Sequence, residues 1–256
     1  MTAVADVLAV FTPGQLVAVF ATLGFAALVK GVTGLGFSTT CLPFLVLAVG
    51  LEKAMALVLL PSLASNLIVM RAAGHFRETV VRFRPMLAAT VPGLLLGLWV
   101  LGKVDTDSLV AVLGAVLVAY CLHGLSGARF TLSAQAERRL QPASGFCTGL
   151  VNGMTGSQIL PVLPFLLSLN LTPDRFVQAM NVSFTLSSLI MALGLSRLGY
   201  LTFESAMVSA AGILVVFAGT RFGTRVRSFL SPETFRKIVL GLLLLLGAGL
   251  IAQQVV

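Results

Sequence analysis

The chain has 256 residues, of which 57% are hydrophobic and only 10% charged, with a net charge of +8 and a mean hydropathy of +1.02. A soluble domain carries about 25% charged and about 45–50% apolar residues, so the composition excludes an ordinary globular enzyme, a disordered chain and a nucleic-acid binder. The chain reads as an all-α integral membrane protein.

Crossing a hydrocarbon core of about 30 Å takes roughly 20 apolar residues. The first twelve residues lack the basic segment of a cleavable secretory signal. Next comes 14–50, an apolar region broken in its middle, and then spans at 53–70, 86–102 and 108–125. A basic connecting loop at 126–142 leads to a second broken region at 143–169, followed by spans at 176–195, 205–220 and 238–252. An alternative topology makes the start of the first broken region a true span. Cys41, Cys121 and Cys147 lie in apolar stretches with no Cys-x-x-Cys spacing, so buried free thiols are expected rather than a disulfide or a zinc site.

The two interruptions are alike. The first runs from Lys30 to Thr40 and the second from Asn152 to Gln158; each contains Gly-x-Thr-Gly, and the copies lie 122 residues apart. Pro-Phe-Leu follows both, at 43–45 and 164–166. Ser65-Asn66-Leu67-Ile68 answers Ser187-Ser188-Leu189-Ile190, and Gly97 answers Gly219, again at 122. Four coincidences in one register, with a slip of one residue, indicate an internal repeat. The first copy covers 1–125 and the second 143–256.

Loops 71–85, 126–142 and 221–237, with Arg175, hold thirteen of the seventeen cations, Arg129 and Arg227 included. Such an excess marks cytoplasmic loops. Region 143–169 then starts and ends inside, and its two arms are each too short to cross at about 1.5 Å per residue. It is expected to be a re-entrant hairpin. Region 14–50 starts and ends outside by the same parity. Each half is a broken hairpin plus three transmembrane helices, an odd number, so the halves are expected to be inverted repeats. Trp99 and Tyr200 fall at the outer interface, as an aromatic belt does.

Inverted repeats with broken helices are an architecture of secondary transporters, whose substrate sites lie where the breaks meet. Half-helices beginning near Ser38 and Ser157 would aim free N–H groups and a positive dipole end at an anion. Thr33, Gly34, Ser38, Thr39, Thr40, Thr155, Gly156, Ser157 and Gln158 form the candidate tips. Lys30 supplies the one full charge near the centre, with Asn152 in its place in the second half. Lys30 either faces a ligand or snorkels outward. Asn66 and Asn181 are further candidates, each equally suited to an interhelical hydrogen bond. Glycines such as Gly93 and Gly97 commonly just permit close packing.

Catalytic motifs are absent. There is no P-loop and no His-Glu-x-x-His. Gly124-Leu125-Ser126-Gly127 resembles the nucleophile motif of rhomboid proteases, but the chain has no histidine downstream of it to act as the base. The chain is read as no enzyme, with no cofactor and no metal. No Asp or Glu falls inside an expected span, which leaves a carboxylate proton relay without its parts.

Two hydrophobic halves, each opening with a glycine-rich Gly-x-x-Gly stretch followed by Pro-Phe-Leu, resemble the sulfite exporter TauE/SafE family of membrane permeases. The resemblance covers essentially the whole chain. It implies a multi-pass carrier of the bacterial inner (cytoplasmic) membrane that moves sulfite, sulfonates or related anions, often outward. A passive anion channel and a non-transporting scaffold subunit are the alternatives. The expected partners are a small anionic substrate and the lipid bilayer, with room for a homodimer and none for nucleic acid.

Overall fold

The computed structural model describes residues 3–34, 36–127, 131–226, 229 and 232–254; Leu35 of the first tip, Arg129 and Arg227 lie outside the described residues. Every regular element among the described residues is an α-helix. The first half contains α1 (Ala3–Val10), α2 (Pro13–Thr33), α3 (Phe37–Val49), α4 (Leu51–Ala73), α5 (Phe76–Leu101) and α6 (Thr106–Ser126). The second contains α7 (Ala134–Thr155), α8 (Val162–Leu167), α9 (Pro173–Arg197), α10 (Phe203–Val226) and α11 (Pro232–Ala252). Seven of these, α2, α4, α5, α6, α9, α10 and α11, are long and apolar enough to cross a bilayer. The chain is an all-α, multi-pass membrane protein.

The two broken regions form hairpins with their ends side by side. At the base of the first, the Gln15 side chain at the start of α2 donates to Ala48 O at the end of α3, 3.2 Å away. At the base of the second, Leu132 N just before α7 donates to Ser168 O after α8 at 3.0 Å. The arms of the first hairpin are unequal: α2 is long enough to cross the bilayer, whereas α3 is a shorter apolar helix. At the usual helical rise the two measure roughly 30 Å and roughly 20 Å. Helix α2 therefore has the length of the true first span of the alternative topology.

Two helices extend past their expected bounds. Helix α7 starts at Ala134, within the stretch expected to be a connecting loop over 126–142, because Ser133 caps it by accepting from Ala136 N. Its polar first turns are held by Arg82, which donates to both Glu137 oxygens at 2.8 and 2.9 Å. Helix α5 starts at Phe76 rather than 86, running through Arg77, Arg82 and Arg84. Hydropathy finds the part of a helix that lies in hydrocarbon, and these helices continue into polar surroundings.

Packing crosses between the halves. Helix α5 packs on α7, α2 on α10, α4 on α9 and α6 on α11. Shifting residue numbers by 122 exchanges the first two pairs and returns each of the others to itself. The contacts are close because glycines line them. A Cβ at Gly153 would lie 2.5 Å from Leu94 O, and one at Gly31, 122 residues earlier, 2.5 Å from Thr220 O. Gly93 and Gly97 are packing glycines of the same kind, against Phe146 O and Leu150 O. Without a hydrophobic drive between helices in lipid, such backbone approach supplies much of the association energy. Cys41 and Cys121 are buried free thiols; Cys147 is exposed on α7, contrary to the expectation from its apolar neighbours, because the buried side of that helix is taken by its glycines and polar residues.

Candidate functional site

The first tip is built by two left-handed glycines. Gly34 (φ 85°) ends α2, its N–H donating to Lys30 O at 2.7 Å, and Gly36 (φ 88°) starts α3. A residue with a Cβ is strained at such φ values. No side chain caps α3, so its first amides remain directed past Gly36 and Phe37 into a cavity. Lys30, one turn back on α2, is buried at 6% exposure and donates to Asn66 Oδ1 on α4 at 3.3 Å. This removes the snorkelling alternative. The other half of the Asn66 amide, Nδ2, is buried without a partner. Ser38 Oγ lies 3.0 Å from Ser62 Oγ, one helical turn before Asn66.

The cavity is closed by Gln158 of the second tip and by Asn181 and Phe184 of α9. Its volume is about 20 Å³, room for about one water molecule. The structure thus brings together Lys30, Ser38, Thr39, Asn66, Gln158 and Asn181. No acidic residue lines the cavity. A buried cation held only by a neutral amide is poorly compensated, and an anion beside it relieves that deficit. Among the described residues no cluster of His, Cys, Asp and Glu could hold a metal ion.

The second tip repeats the turn but not the site. Gly156 (φ 76°) ends α7 with its N–H on Asn152 O at 2.7 Å, the same bond 122 residues later. Thr155 Oγ1 then donates to Val151 O (2.7 Å) and accepts from Ser157 N (3.2 Å), so this hydroxyl closes the turn. The helix expected near Ser157 does not begin there. It begins at Val162, and its first amide donates to Thr148 Oγ1 at 3.0 Å. Pro161 is the physical reason: it offers no N–H, and it pushes the residue before it away from helical geometry. Asn152, Thr155, Gly156 and Ser157 are absent from the cavity lining. Both amide atoms of Asn152 and the Ser157 hydroxyl are buried without partners. Gln158 alone reaches the cavity, its Nε2 donating to Ser188 Oγ at 3.3 Å. Asn181 Nδ2 donates to Val177 O, leaving Oδ1 to face inward.

Thr33, Thr39 and Thr40 line a second, larger chamber of about 140 Å³ that shares Gly36 and Thr39 with the first; Gly34 sits exposed and makes only the turn. Sequence reasoning missed Ser62, Phe37 and Phe184. Ser62 was legible in principle, four residues before Asn66 on one helix face; nothing marked the two phenylalanines. The rhomboid-like motif has no catalytic geometry, since Ser126 Oγ donates to His123 O and is exposed.

A family model described as Sulfite exporter TauE/SafE matches residues 19–250. No curated protein and no solved structure matches the chain. The match covers nearly all of the sequence, and the chain belongs to this family of membrane transporters of sulfur-containing anions.

Proposed function

We propose that this member of the sulfite exporter TauE/SafE family is a secondary carrier that exports a small sulfur-containing oxyanion, sulfite or a sulfonate, across the cytoplasmic membrane. Its halves are inverted repeats, each a hairpin plus three spans, and the basic loops face the cytoplasm. The central site is the Lys30–Asn66 cavity. The observation that carries this reading is a buried lysine with only neutral partners, set beside the uncapped start of a half-helix. Lys30, Asn66 Nδ2, Ser38 and the α3 amides are donors of the kind an oxyanion takes. A second support is the exchange of packing partners between the halves under the 122-residue shift. The tightness of the cavity favours a carrier over an open pore, because an anion of several atoms enters only if the helices around it separate.

The chain has no nucleotide-binding loop, and no carboxylate lines the cavity. The interior-negative membrane potential is then the driving force, worth about 2.3 kcal/mol per charge per 100 mV. The test is sulfite flux from proteoliposomes under a potassium potential set with valinomycin. Saturable, voltage-dependent flux that persists without sodium and without a pH gradient is expected. Flux that stops when either is removed overturns the uniport mechanism, and no flux at all overturns the carrier. Single cysteines at Arg77 and Ala134 are expected to label only from the cytoplasmic side.

A further inference from the structure

The second chamber has no assigned role, and its chemistry differs from that of the first. Its walls are mostly aliphatic, with Val29, Ile159 and Leu240 among them, yet Thr33, Thr39 and Thr40 stand on one side and Tyr120 and Arg236 on another. Arg236 is the one charged residue lining it, and among the described residues no carboxylate pairs with this guanidinium. An unpaired cation against low-dielectric walls projects a strong field into the space before it. The chamber volume, about 140 Å³, holds a small oxyanion with some of its water, where the inner cavity of about 20 Å³ does not. Gly36 and Thr39 line both spaces and form the partition between them. Arg236 is exposed and belongs to the basic stretch 221–237 that faces the cytoplasm in the proposed orientation.

We propose that the chamber between Thr33, Thr39, Thr40, Tyr120 and Arg236 is a second oxyanion site, a cytoplasmic vestibule where the anion waits before passing Thr39 to Lys30. Arg236 attracts the anion, and the threonine and tyrosine hydroxyls replace part of its water. The two sites act in series: the vestibule sets capture from the cytoplasm, and Lys30 sets passage. This inference rests on the transport reading for its direction, but the vestibule as a binding site does not.

The experiment has a binding arm and a flux arm, both using inorganic sulfite. In detergent, equilibrium binding to the full chain is expected to persist in Lys30→Met and Arg236→Gln and to vanish in the double variant. Arg236→Lys, which keeps the charge, is expected to retain it. In proteoliposomes, Arg236→Gln is expected to raise the half-saturating sulfite concentration at the cytoplasmic face by about tenfold or more, as loss of a charged hydrogen-bond donor does. The opposite face and the maximal rate stay unchanged. Loss of all binding in Lys30→Met alone overturns the vestibule, as does wild-type affinity at the cytoplasmic face of Arg236→Gln. Equal impairment from both faces also overturns it, by making Arg236 part of the common path. A wild-type protein that binds sulfite at two sites without flux refutes the transport reading and leaves the vestibule standing.

Discussion

The two hairpin tips share a backbone and differ in chemistry. Gly34 and Gly156 make the same left-handed turn, each closed by a 2.7 Å bond to the carbonyl four residues earlier. In the first tip that earlier residue is Lys30, and a regular helix starts three residues after the turn, with uncapped amides. In the second it is Asn152, and Pro161 postpones the helix to Val162, whose amide is taken by Thr148. An identical turn therefore presents a charge and a dipole on one side of the molecule and a neutral, internally bonded loop on the other. The repeat conserves the fold of the tip; the side chains beside it decide which copy can hold an anion.

The largest expected effect tests what the halves share. Gly153→Leu and Gly31→Leu each drive a side chain into backbone that cannot yield, and both are expected to lose about 3 kcal/mol or more, enough to prevent folding in a marginal protein. Gly24→Ala, with Val215 Cγ1 at 3.5 Å as its nearest neighbour, is expected to leave the melting temperature unchanged. Thermal unfolding in detergent reads all three. A stable Gly153→Leu would show that α5 and α7 do not pack as described.

The next effect separates the tips. Lys30→Met is expected to weaken sulfite binding at the central site by roughly 10–100-fold, the range for a hydrogen bond to a charged group. Asn152→Leu, which replaces an amide with two unpartnered buried atoms, is expected to keep or raise the melting temperature and to leave sulfite affinity within about twofold. Equal loss of affinity in both variants would make the site symmetric and break the contrast.

The smallest effect concerns hydroxyls. Thr155→Val removes the bonds to Val151 and Ser157 and is expected to lower stability by about 1 kcal/mol with affinity unchanged. Ser38→Ala, beside Ser62 at the cavity wall, is expected to do the reverse, lowering affinity by a few-fold at constant melting temperature. Calorimetric unfolding paired with sulfite titration distinguishes them, and a common pattern for both would erase the assignment of separate roles.

The sequence alone determined whatever depends on neighbours along the chain. Apolar stretches placed the spans, and the paired Gly-x-Thr-Gly segments placed both turns, because burial in hydrocarbon and positive φ are decided within a few residues. Thirteen cations in a few loops carried the expected orientation in the same local way. Tertiary structure decided the rest. That Lys30 turns inward to Asn66, 36 residues away, depends on α2 and α4 lying side by side. That α5 and α7 run past the hydrocarbon depends on Arg82 meeting Glu137 across 55 residues. The delayed start of α8 was written in Pro161, but its capping by Thr148 was not. Arg236 read only as one more cytoplasmic charge until folding set it against Tyr120 and the threonines of the first tip, since a charge acts through what it faces in space and not through its place in the chain.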